Sequence, residues 1–268
     1  MSAADQRLAL DPTSGESSVR PFDASLVRQG PEAIVRWTLE SFGDDVMLTS
    51  SFGGESAVML HLVSRIIPSI RVVFIDTGYL FPETYRFMEE LRQRLDLDVR
   101  VYAPALTSAR LEALHGPLWD GDPSALAHYQ RLTKVEPMQR ALAELRPRAW
   151  LAGLRKVQTE HRANLSHVEQ QGPYTKICPI LDFTDDDVHR YLKQYDLPYH
   201  PLYEQGYRSI GDVHSTRATR AGQDAREGRS LGKHRECGLH TTLATELKGP
   251  TVSPVTIANP LTSYNDVR

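Results

Sequence analysis

Val46-Met-Leu-Thr-Ser-Ser-Phe-Gly-Gly-Glu-Ser-Ala-Val-Met-Leu-His-Leu-Val63 constrains the fold more than any other stretch of the chain. A β-prone run at 46–49 meets a small polar loop at 50–56, which opens directly into an apolar-periodic segment. A strand–loop–helix of this kind sets backbone N–H groups and the first turn of a helix around an anion. Gly53 and Gly54 permit close backbone approach, and Ser50, Ser51 and Ser56 bring hydroxyls; Phe52 and Glu55 complete the loop. The Gly-x-x-x-x-Gly-Lys-Ser/Thr of Walker-type nucleotide sites is absent. A lone Gly-rich turn also serves merely to join a strand to a helix, so its meaning depends on the rest of the chain.

Strands and helices alternate on both sides of this unit. A helix is expected over 31–43, with Pro31 near its start and Gly43 at its end. After the central unit comes Arg71-Val-Val-Phe-Ile-Asp-Thr-Gly78, a near-continuous apolar run that suits a parallel strand covered on both faces. A helix over 82–95 and a strand over 98–102 continue the pattern. Residues 115–124 read as a Gly/Pro-rich loop and 126–145 as a long helix interrupted near Pro137. Further strands are expected at 149–153 and 174–180, then a helix over 182–195 with acidic residues in its first turn. Alternating strands and helices specify an α/β fold, a parallel twisted sheet flanked by helices. Beyond Leu202 the periodicity fades and Arg, Gly, Ser and His dominate, which by composition alone reads as a disordered tail.

Composition removes several function classes. A net charge of −3 offers no general attraction to nucleic acid or membrane, so an anion site must be a local basic cluster. No apolar run has membrane-spanning length and the N-terminus lacks a signal pattern, so the expected location is cytoplasmic. The chain has 2 cysteines, Cys178 and Cys237, too few for a disulfide framework, a four-cysteine zinc site or a four-thiolate iron–sulfur cluster.

Ligands of open parallel sheets bind beyond the carboxyl ends of the strands. The loop at 50–56 and Asp76-Thr-Gly-Tyr-Leu-Phe-Pro82 fall there, with Thr77 and Gly78 in the turn; so does Gly153-Leu-Arg-Lys-Val-Gln-Thr-Glu-His-Arg162. A basic loop carrying Arg155, Lys156 and Arg162 beside an anion cradle fits a multiply charged nucleotide, although a single Arg after a strand is commonly a solvated charge. Lys134, taken alone, reads as an ordinary helix-surface cation. Cys178, within Ile177-Cys-Pro-Ile180, reads as a buried strand residue. Cys237 instead lies among Lys233, His234, Arg235 and His240, cations that lower a thiol pKa and favour a nucleophilic thiolate.

Taken together these residues resemble the thioredoxin-dependent 3′-phosphoadenylyl-sulfate (PAPS) reductases of assimilatory sulfate reduction, over about residues 45–240. The resemblance rests on the Ser-Ser-Phe-Gly-Gly-Glu loop at 50–55, Asp76-Thr-Gly-Tyr-Leu-Phe-Pro-Glu-Thr-Tyr85, Lys134-Val-Glu-Pro137, Gly153-Leu-Arg155 and Arg162-Ala-Asn-Leu165. It continues through Tyr199-His-Pro-Leu202, Gly211-Asp-Val-His-Ser-Thr-Arg217 and Glu236-Cys-Gly-Leu-His240. It implies an adenine nucleotide α-hydrolase-like (PP-loop) fold and a mobile C-terminal segment that brings the catalytic Cys237 over the nucleotide. The relatives that use adenylyl sulfate (APS) hold an iron–sulfur cluster on two cysteine pairs. Here the first pair would precede Lys134, where Tyr129-Gln-Arg-Leu-Thr133 has none, and the second would fall at Asp212 and Ser215. No cofactor is expected, and the cluster-free branch takes PAPS. Arg226-Glu-Gly-Arg229 looks more like the APS branch, which leaves a cluster-free APS reductase as an alternative.

The expected substrate site has the 50–56 loop with Arg155 and Arg162 on the phosphates, the 76–79 loop (Asp76, Thr77 and Gly78 among it) at the adenosine end, and Gly153 beside them. By the resemblance, Lys134, Arg226 and Arg229 surround the sulfate, with Arg217 and His240 also in the site. The implied electron donor is thioredoxin (or glutaredoxin), and a homodimer is possible. An ATP-cleaving PP-loop enzyme and a non-catalytic nucleotide binder remain rivals; neither has a use for Cys237. The expected organisation is a flexible leader (1–21), a nucleotide-binding domain (22–202), a catalytic segment (203–240) and a flexible tail (241–268).

Overall fold

The computed structural model describes residues 20–220, 222 and 225–229. Helices α1 (Ser25–Gln29) and α2 (Pro31–Phe42) lead into β1 (Val46–Thr49), α3 (Ala57–Ser64), β2 (Arg71–Ile75), α4 (Pro82–Arg94) and β3 (Asp98–Tyr102). Then come α5 (Ser108–His115), α6 (Pro123–Gln130), α7 (Glu136–Leu145), β4 (Ala149–Ala152), α8 (Glu160–Ala163), β5 (Val168–Gln171), β6 (Tyr174–Ile177) and α9 (Asp185–Gln194). Among the described residues the strands form one 6-stranded sheet in the order β3-β2-β1-β4-β6-β5. All neighbours are parallel except β5, which runs antiparallel to β6 at the edge.

The parallel α/β sheet flanked by helices is therefore as the sequence predicts, and side-chain alternation explains its two-sided core. Successive residues of a strand point to opposite faces. Leu48, Phe74 and Leu151 pack with Ile34, Leu60, Phe87 and Leu192, whereas Met47, Val73 and Trp150 pack with Met138 and Leu142 of α7. Helix ends follow local chemistry: Thr184 and Asp187 form a capping box at α9, whose first turn holds Asp185, Asp186 and Asp187.

Several elements differ from expectation. β5 carries a mostly polar sequence, VEQQ, and at a sheet edge it needs no apolar alternation to pair. α5 buries only Leu111, so it has almost no periodic signal; Thr107 caps its start. The interruption expected near Pro137 is a π-helical turn over Arg131–Val135, and Pro137 itself sits in the first turn of α7, where its missing N–H costs nothing. β6 ends at Ile177, three residues short of the expected strand end, because Pro179 cannot continue a ladder. Cys178 is buried as expected but lies just past the strand, its N–H donating to the His167 carbonyl at 2.8 Å.

The stretch after Leu202, aperiodic in sequence, is ordered over 203–220 and packs onto the loops that follow β1 and β2. Leu202 and Ile210 are buried, Asp212 bridges to Leu80, and the Val213 N–H donates to the Tyr79 carbonyl at 2.8 Å. Thr216 bridges to Arg229, returning the chain towards the same edge.

Candidate active site

β1 has β2 on one side and β4 on the other, so the sheet reverses direction of winding between β1 and β4. That switch point opens a crevice at the carboxyl ends of the strands. A cavity of about 250 Å³ occupies it, floored by Thr49, Val73, Ile75 and Ala152 from the ends of β1, β2 and β4.

The Gly-rich loop forms one wall. Ser50 continues the ladder through its N–H to the Val73 carbonyl, its Oγ accepts from the Phe52 N–H at 3.1 Å, and Ser56 Oγ donates to the Gly53 carbonyl at 2.9 Å. Ser50, Ser51, Gly53, Gly54, Glu55 and Ser56 all line the cavity. Phe52 does not. It is fully buried with φ of 47°, and its ring meets Phe74 edge-on at 5.1 Å, so it pins the loop to the core from beneath. Gly54 carries the next contact: a Cβ there would lie 3.1 Å from the Tyr203 ring and 3.2 Å from the Arg208 carbonyl. Its own carbonyl accepts from the buried His200 N–H. Tyr199-His-Pro-Leu202 thus braces the loop from behind.

The turn after β2 divides its labour. Asp76 Oδ1 accepts from the Gly78 N–H at 2.8 Å and the Tyr85 hydroxyl at 2.7 Å, shaping the turn without lining the cavity. Gly78 and Arg217 also lie outside the lining, whereas Thr77 reaches it.

The loop after β4 behaves differently from the simple expectation of a free basic patch. Gly153, Arg155 and Arg162 line the cavity, but the Arg155 guanidinium is buried between the Glu55 and Asp185 carboxylates. Burial pushes the Glu55 carboxyl up, and the charge of Arg155 works against that shift. Arg155 therefore ties the Gly-rich loop to the start of α9. Arg162, also buried, donates to the Gln158 side chain.

The π-helical turn and the C-terminal segment bring in the remaining charge. Lys134, in the π-helical turn, lines the cavity with Arg226 and Arg229 from the C-terminal segment. Arg229 donates to the Ile210 carbonyl at 2.7 Å, while its Nε is buried with no hydrogen-bond partner among the described residues. Arg226 donates to Ser209 Oγ at 3.3 Å. Between them stands Asp212, 1% exposed: its Oδ2 accepts from Lys134 Nζ at 2.7 Å and its Oδ1 from Thr77 Oγ1 at 2.5 Å. Burial opposes its ionisation, but the charge and hydrogen bond of Lys134, with Thr77, outweigh burial and hold the carboxyl far below the usual carboxylate range. In sequence, Asp212 stands out as part of the Gly211–Arg217 motif and as a position without a cysteine, not as a partner of Lys134.

Behind Lys134 an aromatic cluster closes the site. Trp119 stacks on His214 at 4.2 Å, and the Tyr129 hydroxyl meets His214 Nε2 at 3.0 Å. The stretches around 129 and 212–215, where cluster-bearing relatives would carry cysteines, do meet in space, and these side chains fill their junction. Among the described residues no group of acidic, His and Cys side chains could hold a metal ion. Cys237 and His240 lie outside the described residues.

Sheet order, Gly-rich loop and cavity define an α/β protein of the adenine nucleotide α-hydrolase-like, PP-loop class, and comparison with solved structures agrees. Phosphoadenylyl-sulfate (PAPS) reductase from Candida auris, in a phosphate complex, superposes with a TM-score of 0.64 at 32% identity, covering 72% of this chain and 93% of that one. Candida glabrata FMN adenylyltransferase in complex with ATP shares the fold, with a TM-score of 0.53 at 17% identity over 79% of this chain and 70% of that one.

The chain belongs to the phosphoadenosine phosphosulfate reductase family: the family's domain matches residues 45–218. Phosphoadenosine 5'-phosphosulfate reductase of Alkalilimnicola ehrlichii is 52% identical over 206 residues, 77% of this chain and 84% of that protein. The protein of the same description from Synechocystis sp. is 49% identical over 217 residues, 80% of this chain and 87% of the relative.

Proposed function

We propose that this protein reduces PAPS to sulfite and adenosine 3′,5′-bisphosphate in assimilatory sulfate reduction, using electrons from a dithiol protein such as thioredoxin. The observation that carries this reading is the convergence of Lys134, Arg226 and Arg229 on a cavity that the Gly-rich loop also lines. Such a lining offers both backbone amides and hydroxyls and a set of cations to a ligand that carries more than one anionic group. The Nε of Arg229, buried and without a partner among the described residues, supports an anion there.

Cys237 follows Arg229 by eight residues, a tether of at most about 28 Å, so the nucleophile is within reach of the cavity. Its thiolate attacks the sulfonate sulfur of PAPS, forming an S–S bond as the bond from sulfur to the phosphate oxygen breaks. The electron pair leaves with adenosine 3′,5′-bisphosphate, and the enzyme carries a cysteine S-sulfonate. The cations offset repulsion between thiolate and polyanion. A donor thiolate then attacks the Cys237 sulfur, sulfite departs with the electron pair, and the donor's second thiol resolves the mixed disulfide. The donor dithiol is oxidised to a disulfide and sulfur is reduced from sulfate to sulfite level. The second cysteine does not serve as resolving thiol in this scheme, since Cys178 is buried.

Both arginines of Arg226-Glu-Gly-Arg229 line the cavity, which keeps APS as the second substrate reading. The test is sulfite release with reduced thioredoxin, run separately on PAPS and APS. Faster turnover of PAPS is expected, and activity on APS alone would reverse the substrate assignment. Cys237→Ser is expected to abolish sulfite formation with nucleotide binding kept, because serine's hydroxyl stays protonated. Without donor, PAPS should leave a sulfonate on the peptide containing Cys237; an adduct on Cys178, or full activity of Cys237→Ser, would overturn the mechanism.

A further inference from the structure

Among the described residues Asp212 is the carboxylate set against the cationic wall of the cavity, and its backbone does not need it there. The segment is already docked by main-chain contacts, Leu80 bridging to Asp212 and the Val213 N–H donating to the Tyr79 carbonyl. The side chain is committed elsewhere: one oxygen to Thr77 Oγ1 and the other to Lys134 Nζ. A buried carboxylate is expensive unless its partners are well placed. Here Lys134 and Thr77 offset that cost, so carboxylate and ammonium are held as one unit.

Lys134 is the group that gains. Its ammonium ends a flexible four-carbon arm, mostly enclosed with its side chain 13% exposed, and lies 5.7 Å from the centroid of the Tyr129 ring. One of its three N–H bonds goes to Asp212, which leaves donors for a ligand in the cavity it lines. The pairing lowers the net positive charge Lys134 presents to an incoming polyanion while fixing where that charge sits.

We propose that Asp212 is a positioning residue for the reduction, acting through Lys134: it holds the ammonium at the sulfonate end of the cavity and trades ground-state affinity for placement. This rests on the reductase function set out above. Misplacing a group that engages the reacting end costs rate, whereas removing a neutralising charge strengthens anion binding. The two effects therefore move kcat and KM in directions that a merely structural role would not.

The experiment measures sulfite formation from PAPS with reduced thioredoxin for wild type, Asp212→Asn, Lys134→Met and the double variant. Asparagine keeps an acceptor for Thr77 but removes the charge facing Lys134. Asp212→Asn is expected to lower kcat about ten- to hundredfold with KM for PAPS unchanged or reduced. In the Lys134→Met background the same change should alter kcat by less than about twofold, since the residue acts through Lys134. Wild-type kcat in Asp212→Asn, or losses that multiply in the double variant, would overturn the proposal. Should Asp212→Asn fail to fold, Asp212→Glu replaces it: the longer arm keeps the pairing but shifts the ammonium, so kcat falls and wild-type kcat overturns the proposal. A wild type that forms no sulfite would remove the function and the proposal with it. A wild type that does, beside an unimpaired Asp212 variant, would remove the proposal alone.

Discussion

At the residue scale the two cysteines separate by environment. Cys178 is 2% exposed, and burial pushes its thiol up to about 11, so it is a protonated, inert core group. It packs with Ala152, Leu154 and Leu181, under the loop that follows β4. Cys178→Ser places a hydroxyl in that apolar pocket and should cost about 1–3 kcal/mol of stability, read as a lower urea midpoint, with sulfite formation per folded molecule unchanged. Loss of activity in a variant that remains folded would give Cys178 a chemical role.

At the element scale the decisive feature is the short return of 225–229 onto 216–217. The Arg217 N–H donates to the Gly228 carbonyl at 2.8 Å, and Thr216 bridges to Arg229. This approach needs glycine: a Cβ at 228 would lie 2.3 Å from the Arg217 carbonyl oxygen, a backbone atom that cannot step aside alone. Gly228→Ala should therefore lift Arg226 and Arg229 from the cavity and lower kcat/KM for PAPS about tenfold or more, equivalent to at least ~1.4 kcal/mol of transition-state binding. Its melting temperature should change little, because the main sheet core is untouched. Wild-type kcat/KM in that variant would show that the return does not place the arginines.

At the scale of the whole molecule, stability should fall on mild acidification. His200, beneath the Gly-rich loop, accepts at Nδ1 from the Leu202 N–H and meets Thr84 Oγ1 at Nε2; burial pulls its pKa down to about 4. His214 is pulled to about 4 as well, chiefly by burial, within the aromatic cluster. Both are neutral in the folded protein, whereas an unfolded histidine takes up a proton near pH 6.5. Their contribution is complete above about pH 6.5, declines as the pH falls towards about 4, and is gone below it. Melting temperature measured across that window should drop, with up to about 3 kcal/mol at stake for each histidine. A flat profile would show that the two imidazoles are protonated in the native state.

Much of the architecture was legible in local chemistry. Strands β1 to β3, the Gly-rich loop and its helix, and the burial of Cys178 follow from β-propensity, turn residues and apolar runs that neighbouring positions specify among themselves. The cysteine count is equally plain in the sequence: 2 thiols in a chain are fewer than the four that a four-thiolate cluster takes. Other features needed the folded chain. β5 is a polar edge strand whose pairing comes from its neighbour, and α5 buries a single apolar residue, so neither leaves a periodic trace. Phe52 looks like part of a ligand loop in sequence, yet its positive φ turns the ring into the core. The charges depended most on tertiary structure. Arg155 is matched by Glu55 across 100 positions, and Asp212 meets Lys134 across 78 and Thr77 across 135. Periodicity and turn chemistry act between neighbours along the chain, whereas Coulomb energy depends on separation in space and on burial. Only the meeting of β2, the π-helical turn and the C-terminal segment at one sheet edge decides which cations are neutralised and which face the cavity.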